Sequence, residues 1–172
     1  MKPVHVEESI CSVIEIKASA ELIWNHITEV RLEQFSDPLL VKLLNIPKPL
    51  KAEMVAVGEA GSRIAYFDSS KRFLQKITVW KPFREYSFSF NPEKGFKVGY
   101  FFDLSDGVFR ILRGSHLLTP LNDSVSLTLH THYSLDKRLY WLGKLPVRWV
   151  LTLFQQYLLR SIKHNTECNE GH

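Results

Sequence analysis

The chain has 172 residues, 45% of them hydrophobic and 23% charged, which is enough to bury one ordinary core and too apolar for a disordered segment. Its net charge of +4 is mild and does not point to nucleic acid, so no nucleic-acid partner is expected. The two cysteines, Cys11 and Cys168, lie at opposite ends with no CxxC, which argues against a disulfide framework and a structural metal site.

The first ten residues carry Glu7 and Glu8 where a secretion signal needs an apolar core, and apolar runs such as 149–154 are far too short to span a membrane. A reducing, cytoplasmic location is therefore expected. Ser9 to Ile16 is rich in β-branched residues and reads as a first strand. Ser19 suits a helix N-cap, and the next eight residues place Ile23, Trp24 and Ile27 on one stripe. A short helix or turn is expected over Arg31 to Phe35. An apolar run from Leu39 to Leu44 is then stopped by Pro47 and Pro49.

From Ala52 onward the pattern is strand after strand: 62–67, 72–80, 84–90, 96–103, 108–113, 114–121 and 125–135. Tyr86, Phe88 and Phe90 share one face of their strand. In the last strand Leu129, Thr131 and Tyr133 share the apolar face, with His130 and His132 on the other. With no helical segments between them, these strands are expected to pair antiparallel. Pro146 suits a first helical turn, and Val147, Val150, Leu151, Phe154, Leu158 and Ile162 recur at helical spacing. A final helix of about 20 residues would be ~30 Å long, enough to lie across a sheet. The class is thus α+β, one domain over residues 1–172, with a curved antiparallel sheet wrapped around a long C-terminal helix.

Four stretches carry a family likeness: Ile16-Lys17-Ala18-Ser19-Ala20-Glu21-Leu22-Ile23-Trp24, Val57-Gly58, Val79-Trp80-Lys81-Pro82-Phe83-Arg84, and Leu117-Leu118-Thr119-Pro120-Leu121-Asn122-Asp123-Ser124. On these the chain resembles the START-related (SRPBCC) superfamily of helix-grip proteins, which includes the birch-pollen-allergen fold, polyketide cyclases and lipid-transfer domains. The resemblance implies a hydrophobic ligand held between sheet and final helix; separately, no cofactor is expected. The expected lining is Tyr86, Phe88, Phe90, Leu129, Thr131 and Tyr133 from the sheet. Phe154 and Tyr157 join them from the helix, and Tyr66, Tyr100 and Phe102 from strands of weaker register.

Catalytic signals are sparse. His130 and His132, at i and i+2, point to one side but lack further ligands at metal spacing. His26 and His116 are lone imidazoles, no pair of carboxylates is evident, and GxSxG, HExxH and phosphate-loop motifs are missing. No catalytic residue is assigned. From Lys137 to Trp149 basic and aromatic residues interleave, with Lys137, Arg138, Lys144 and Arg148 beside Trp141 and Trp149, a mixture suited to the surface of an anionic membrane. Three readings stay open: a carrier or sensor for a lipid, isoprenoid or polyketide-like molecule; a cyclase- or dehydrase-like enzyme using Tyr66, Tyr133 or a histidine; and a surface interaction module.

Overall fold

The computed structural model describes residues 4–29, 42, 43, 45, 49–68, 70–92, 94, 95, 97, 98, 102, 103 and 107–169. In chain order the elements are β1 (His5–Ile16), α1 (Ala20–Thr28), β2 (Pro49–Ala56), β3 (Ser62–Phe67), β4 (Arg72–Lys81), β5 (Glu85–Pro92), β6 (Lys97–Val98), β7 (Phe102–Asp103), β8 (Phe109–Pro120), β9 (Val125–Asp136) and α2 (Tyr140–Asn169). Seven strands form one curved antiparallel sheet in the order β1-β9-β8-β5-β4-β3-β2, and β6 pairs with β7 separately.

α1 begins as its sequence dictates. The Ser19 hydroxyl accepts a hydrogen bond from the Leu22 amide at 3.2 Å, and Ile23, Trp24 and Ile27 are buried. β1, β3 and β4 alternate along most of their length. In β9 Val125, Leu127, Leu129, Tyr133 and Leu135 are buried on the inner face, as their period of two requires.

Several expected boundaries shift. β2 was not singled out, because its inward residues Leu50, Ala52 and Met54 alternate with Lys51 and Glu53 just after two prolines. The expected strand over 96–103 is instead the short β6/β7 pair. The two strands expected over 108–113 and 114–121 are one, β8. A register shift between Ile111 and Arg113 breaks its alternation, which makes one bulged strand look like two. The segment 31–35 and most of 39–44 lie outside the described residues.

α2 has 30 residues and begins at Tyr140, so Pro146 lies inside it rather than in its first turn. Proline there costs one helical hydrogen bond, which the exposed first turns tolerate. The Asp136 carboxylate accepts from the Arg138 amide at 2.8 Å and starts the turn into the helix. α2 then runs alongside β1 in register. Glu8 faces Lys144 and Arg148, the Ser12 hydroxyl donates to the Gln155 side-chain carbonyl, and Lys163 donates to the Glu15 carbonyl. The Glu167 carboxylate accepts from the Lys17 amide.

The buried residues form two clusters. One gathers α1, with Ile23, Trp24 and Ile27, against Ile77, Tyr86, Leu127 and Leu159. The other joins Phe67, Phe73, Phe109, Tyr133 and Leu135 to Val147 and Leu151.

Candidate functional site

Between these clusters, sheet and helix leave a cavity of about 130 Å³. Its walls come from both: Ile27, Phe88, Leu129 and Ile162 from the first, Ala65, Phe67, Phe73, Phe109 and Leu151 from the second. Val150, Phe154 and Leu158 of α2 close the helix side. A more open depression of about 390 Å³ shares Phe73, Phe90 and Ile111 with it and is bordered by Lys94 and Arg110.

Gly114 belongs to this wall for a steric reason. A Cβ there would stand 2.8 Å from Cζ of Phe88 and 3.2 Å from Cε2 of Phe90, so the missing side chain lets the two rings approach the β8 backbone closely.

Besides Lys51, whose ammonium pairs with Glu53, two sets of polar side chains interrupt the apolar lining. On the α2 side, Gln155 donates to the Thr131 hydroxyl and accepts from Ser12, each at 2.8 Å, which satisfies the amide and pins the helix to β9 and β1. On the opposite wall lie Arg63, Gln75 and His116. Arg63 and Gln75 are direct cross-strand partners, and Nε of Arg63 donates to Oε1 of Gln75 at 2.8 Å. Nη1 donates to the Ile27 carbonyl and at 3.4 Å to that of Thr28, the last turn of α1. A cation suits that site, because a helix C-terminus carries partial negative charge. The guanidinium also stands over the rings of Tyr86 and Phe88, at 5.1 and 5.5 Å.

His116 is 6% exposed and stacks on Tyr86 at 6.0 Å between centroids. Burial first, and the neighbouring Arg63 charge second, push its pKa down to about 3, so the imidazole is neutral at physiological pH. Nδ1 of His116 and the hydroxyl of Tyr86 have no hydrogen-bond partner among the described residues. Burial raises the Tyr86 pKa, opposed by Arg63, so the phenol stays protonated.

No protein-family model matches the chain, and no curated protein does. Solved structures match over nearly its whole length. A truncated norcoclaurine synthase from Thalictrum flavum aligns with a TM-score of 0.59 at 15% identity, covering 92% of this chain and 92% of its own. Protein CV1439 from Chromobacterium violaceum aligns with a TM-score of 0.57 at 15% identity, covering 92% of this chain and 97% of its own. The chain shares the helix-grip fold of these solved structures. A third structure holds norcoclaurine synthase in complex with dopamine and hydroxybenzaldehyde. It aligns with a TM-score of 0.54 at 16% identity, covering 93% of this chain and 86% of its own. At such identities the likeness is one of fold.

In this helix-grip structure the expected lining divides. Phe88, Phe90, Leu129, Thr131 and Phe154 do border the cavity. Tyr86, Tyr133 and Tyr157 are buried but do not border it. Tyr86 packs into the α1 cluster against Trp24 and Trp80, and Tyr133 into the second cluster beside Phe109. Tyr66 is on the outer face of β3, where its hydroxyl donates to Glu53 at 3.1 Å. β3 turns Arg63, Ala65 and Phe67 inward, which sends Tyr66 out. Tyr100 lies outside the described residues, as does the side chain of Phe102.

His130 and His132 are on the outer face of β9, and no cluster of three metal-ligating side chains occurs among the described residues. Arg63, Gln75 and Gln155 were the residues that sequence reasoning missed. One signal for Arg63 and Gln75 was present. The outward phase of β4 contains Lys76, so Gln75 must face inward, and its neighbour in β3 goes with it.

Proposed function

We propose that this protein binds a hydrophobic small molecule in the cavity between sheet and C-terminal helix, as a carrier or sensor within one ligand-binding domain in a reducing cytoplasm. The observation that carries this reading is the cavity itself. It is lined by six phenylalanines and by aliphatic side chains of α2, and interrupted by a few fixed polar groups. A space of this order admits a benzene-sized body, and the adjoining depression gives a longer molecule room to extend. Norcoclaurine synthase, of the same fold, has been solved with two small aromatic molecules bound, which supports the reading.

The test is native mass spectrometry of freshly purified protein, followed by organic extraction. An apolar adduct that leaves on denaturation is expected. A chain that stays at its bare mass through titration with aromatic and aliphatic probes would overturn the proposal.

The cyclase- or dehydrase-like alternative has less to stand on. The cavity holds one titratable imidazole, His116, and a pKa of about 3 makes it a feeble base at neutral pH. Tyr66 and Tyr133 lie away from the cavity.

Ligand exchange at an anionic membrane is the second part of the proposal. Trp141, Leu142, Leu145 and Trp149 form one exposed stripe on the first turns of α2, with Trp141 87% and Leu142 80% exposed. Lys137 and Arg138 precede the stripe, and Lys144 and Arg148 border it. Exposed aromatic and aliphatic side chains rimmed by basic ones suit the headgroup region of anionic lipid. Among the described residues no helix is long and apolar enough to cross a membrane, so contact through α2 would be peripheral.

A further inference from the structure

Arg63 is a buried cation whose charge is incompletely answered among the described residues. It is 5% exposed and lines the cavity. Its neighbours among the described residues are two backbone carbonyls, one neutral amide and two aromatic rings. The carbonyls at the end of α1 supply about half a negative charge at most. No carboxylate pairs with Arg63 among the described residues, and buried charges are normally paired.

The hydrogen-bond inventory points the same way. A guanidinium has five N–H donors, and among the described residues only Nε and Nη1 are engaged, which leaves Nη2. Gln75 spends its carbonyl oxygen on Arg63, leaving its amide nitrogen as a second donor. Both residues border the cavity, so this wall offers donors and positive charge to whatever lies inside. The opposite wall differs in carrying no charge: there the Gln155 amide donates to Thr131 and its carbonyl accepts from Ser12.

We propose that the Arg63–Gln75 pair binds an anionic group of the ligand, and that the cavity takes an apolar molecule ending in a single carboxylate. This rests on the reading of the cavity as a ligand site. The apolar body would lie among Phe67, Phe73, Phe90 and Leu151, and the carboxylate would accept from Nη2 of Arg63 and the amide of Gln75. A charged hydrogen bond in so dry a site separates a carboxylate from its neutral counterpart strongly.

The experiment uses the full chain and a neutral fluorescent probe, N-phenyl-1-naphthylamine, whose entry reports on the cavity without regard to charge. Octanoate and 1-octanol then compete for it at pH 7.5, as do 3-phenylpropanoate and 3-phenylpropanol. Each acid is expected to displace the probe at a concentration at least tenfold below that of its alcohol, although the alcohols are the more hydrophobic. In Arg63→Gln the ratio of acid to alcohol affinity is expected to fall to one or below, whatever the change in the affinity of both. If Arg63→Gln does not fold, the wild-type comparison still decides. Probe binding with alcohols equal to or better than acids overturns the carboxylate assignment and leaves the cavity reading standing. Failure of the probe to bind, together with no heat of binding for any of the four competitors in direct calorimetric titration, overturns both.

Discussion

His116 is neutral in the folded protein because burial and Arg63 both oppose its protonation. The unfolded chain takes up a proton near the ordinary imidazole value of 6.5, whereas the folded chain does so only at about 3. Between those values the unfolded state binds more protons, so stability falls as pH falls. The slope from this one group approaches ~1.4 kcal/mol per pH unit. His26, also shifted down by burial, adds in the same direction. His116→Gln is expected to flatten urea-denaturation stability between pH 6.5 and 5, and an unchanged slope would show that His116 is not held neutral. Gly114→Ala, by driving a methyl group against the Phe88 and Phe90 rings, is expected to cost about 1–3 kcal/mol and to weaken probe binding severalfold. Equal stability and affinity would mean that the rings have room to move. At this scale the sequence was hardest to read. In 62–67 the apolar pair Ile64 and Tyr66 competes with Ala65 and Phe67 for the inner face, and choosing the true phase means burying an arginine. Propensity argues against that choice, and only the end of α1, which supplies carbonyl acceptors from a distant part of the chain, makes it stable.

The elements themselves were more legible. The N-cap at Ser19, the alternation of β5 and β9, and the helical stripe of α2 are local patterns, and each folds as its period demands. The bulge in β8 and the start of α2 were not local. A bulge hides inside a broken alternation, and the turns before Pro146 show no buried stripe because most of their large apolar side chains are exposed. That exposure makes α2 the place for a binding test. Trp141→Ala combined with Leu145→Ser is expected to reduce co-sedimentation with vesicles containing phosphatidylserine at least tenfold, while the melting temperature moves little, since both side chains are already solvated. Raised salt should weaken wild-type binding as well. Undiminished sedimentation of the double variant would remove the stripe from the membrane and leave it as a surface for another protein.

For the whole molecule, the order of elements was enough to expect a sheet closed by a terminal helix, and the neighbours of the same fold agree. What the order did not convey was that the two buried clusters fail to merge. Tyr86 and Tyr133 fill them individually, and the space left between them belongs to Phe88, Phe90, Leu129 and α2. The account therefore stands on that space accepting a guest. The most direct test is a fluorescence titration of N-phenyl-1-naphthylamine into the wild-type chain and into Leu129→Trp, which places an indole in the cavity. Saturable binding at one site, weakened at least tenfold in Leu129→Trp with the fold retained, is the predicted result. Equal binding by both proteins would put the probe on the surface and contradict the account.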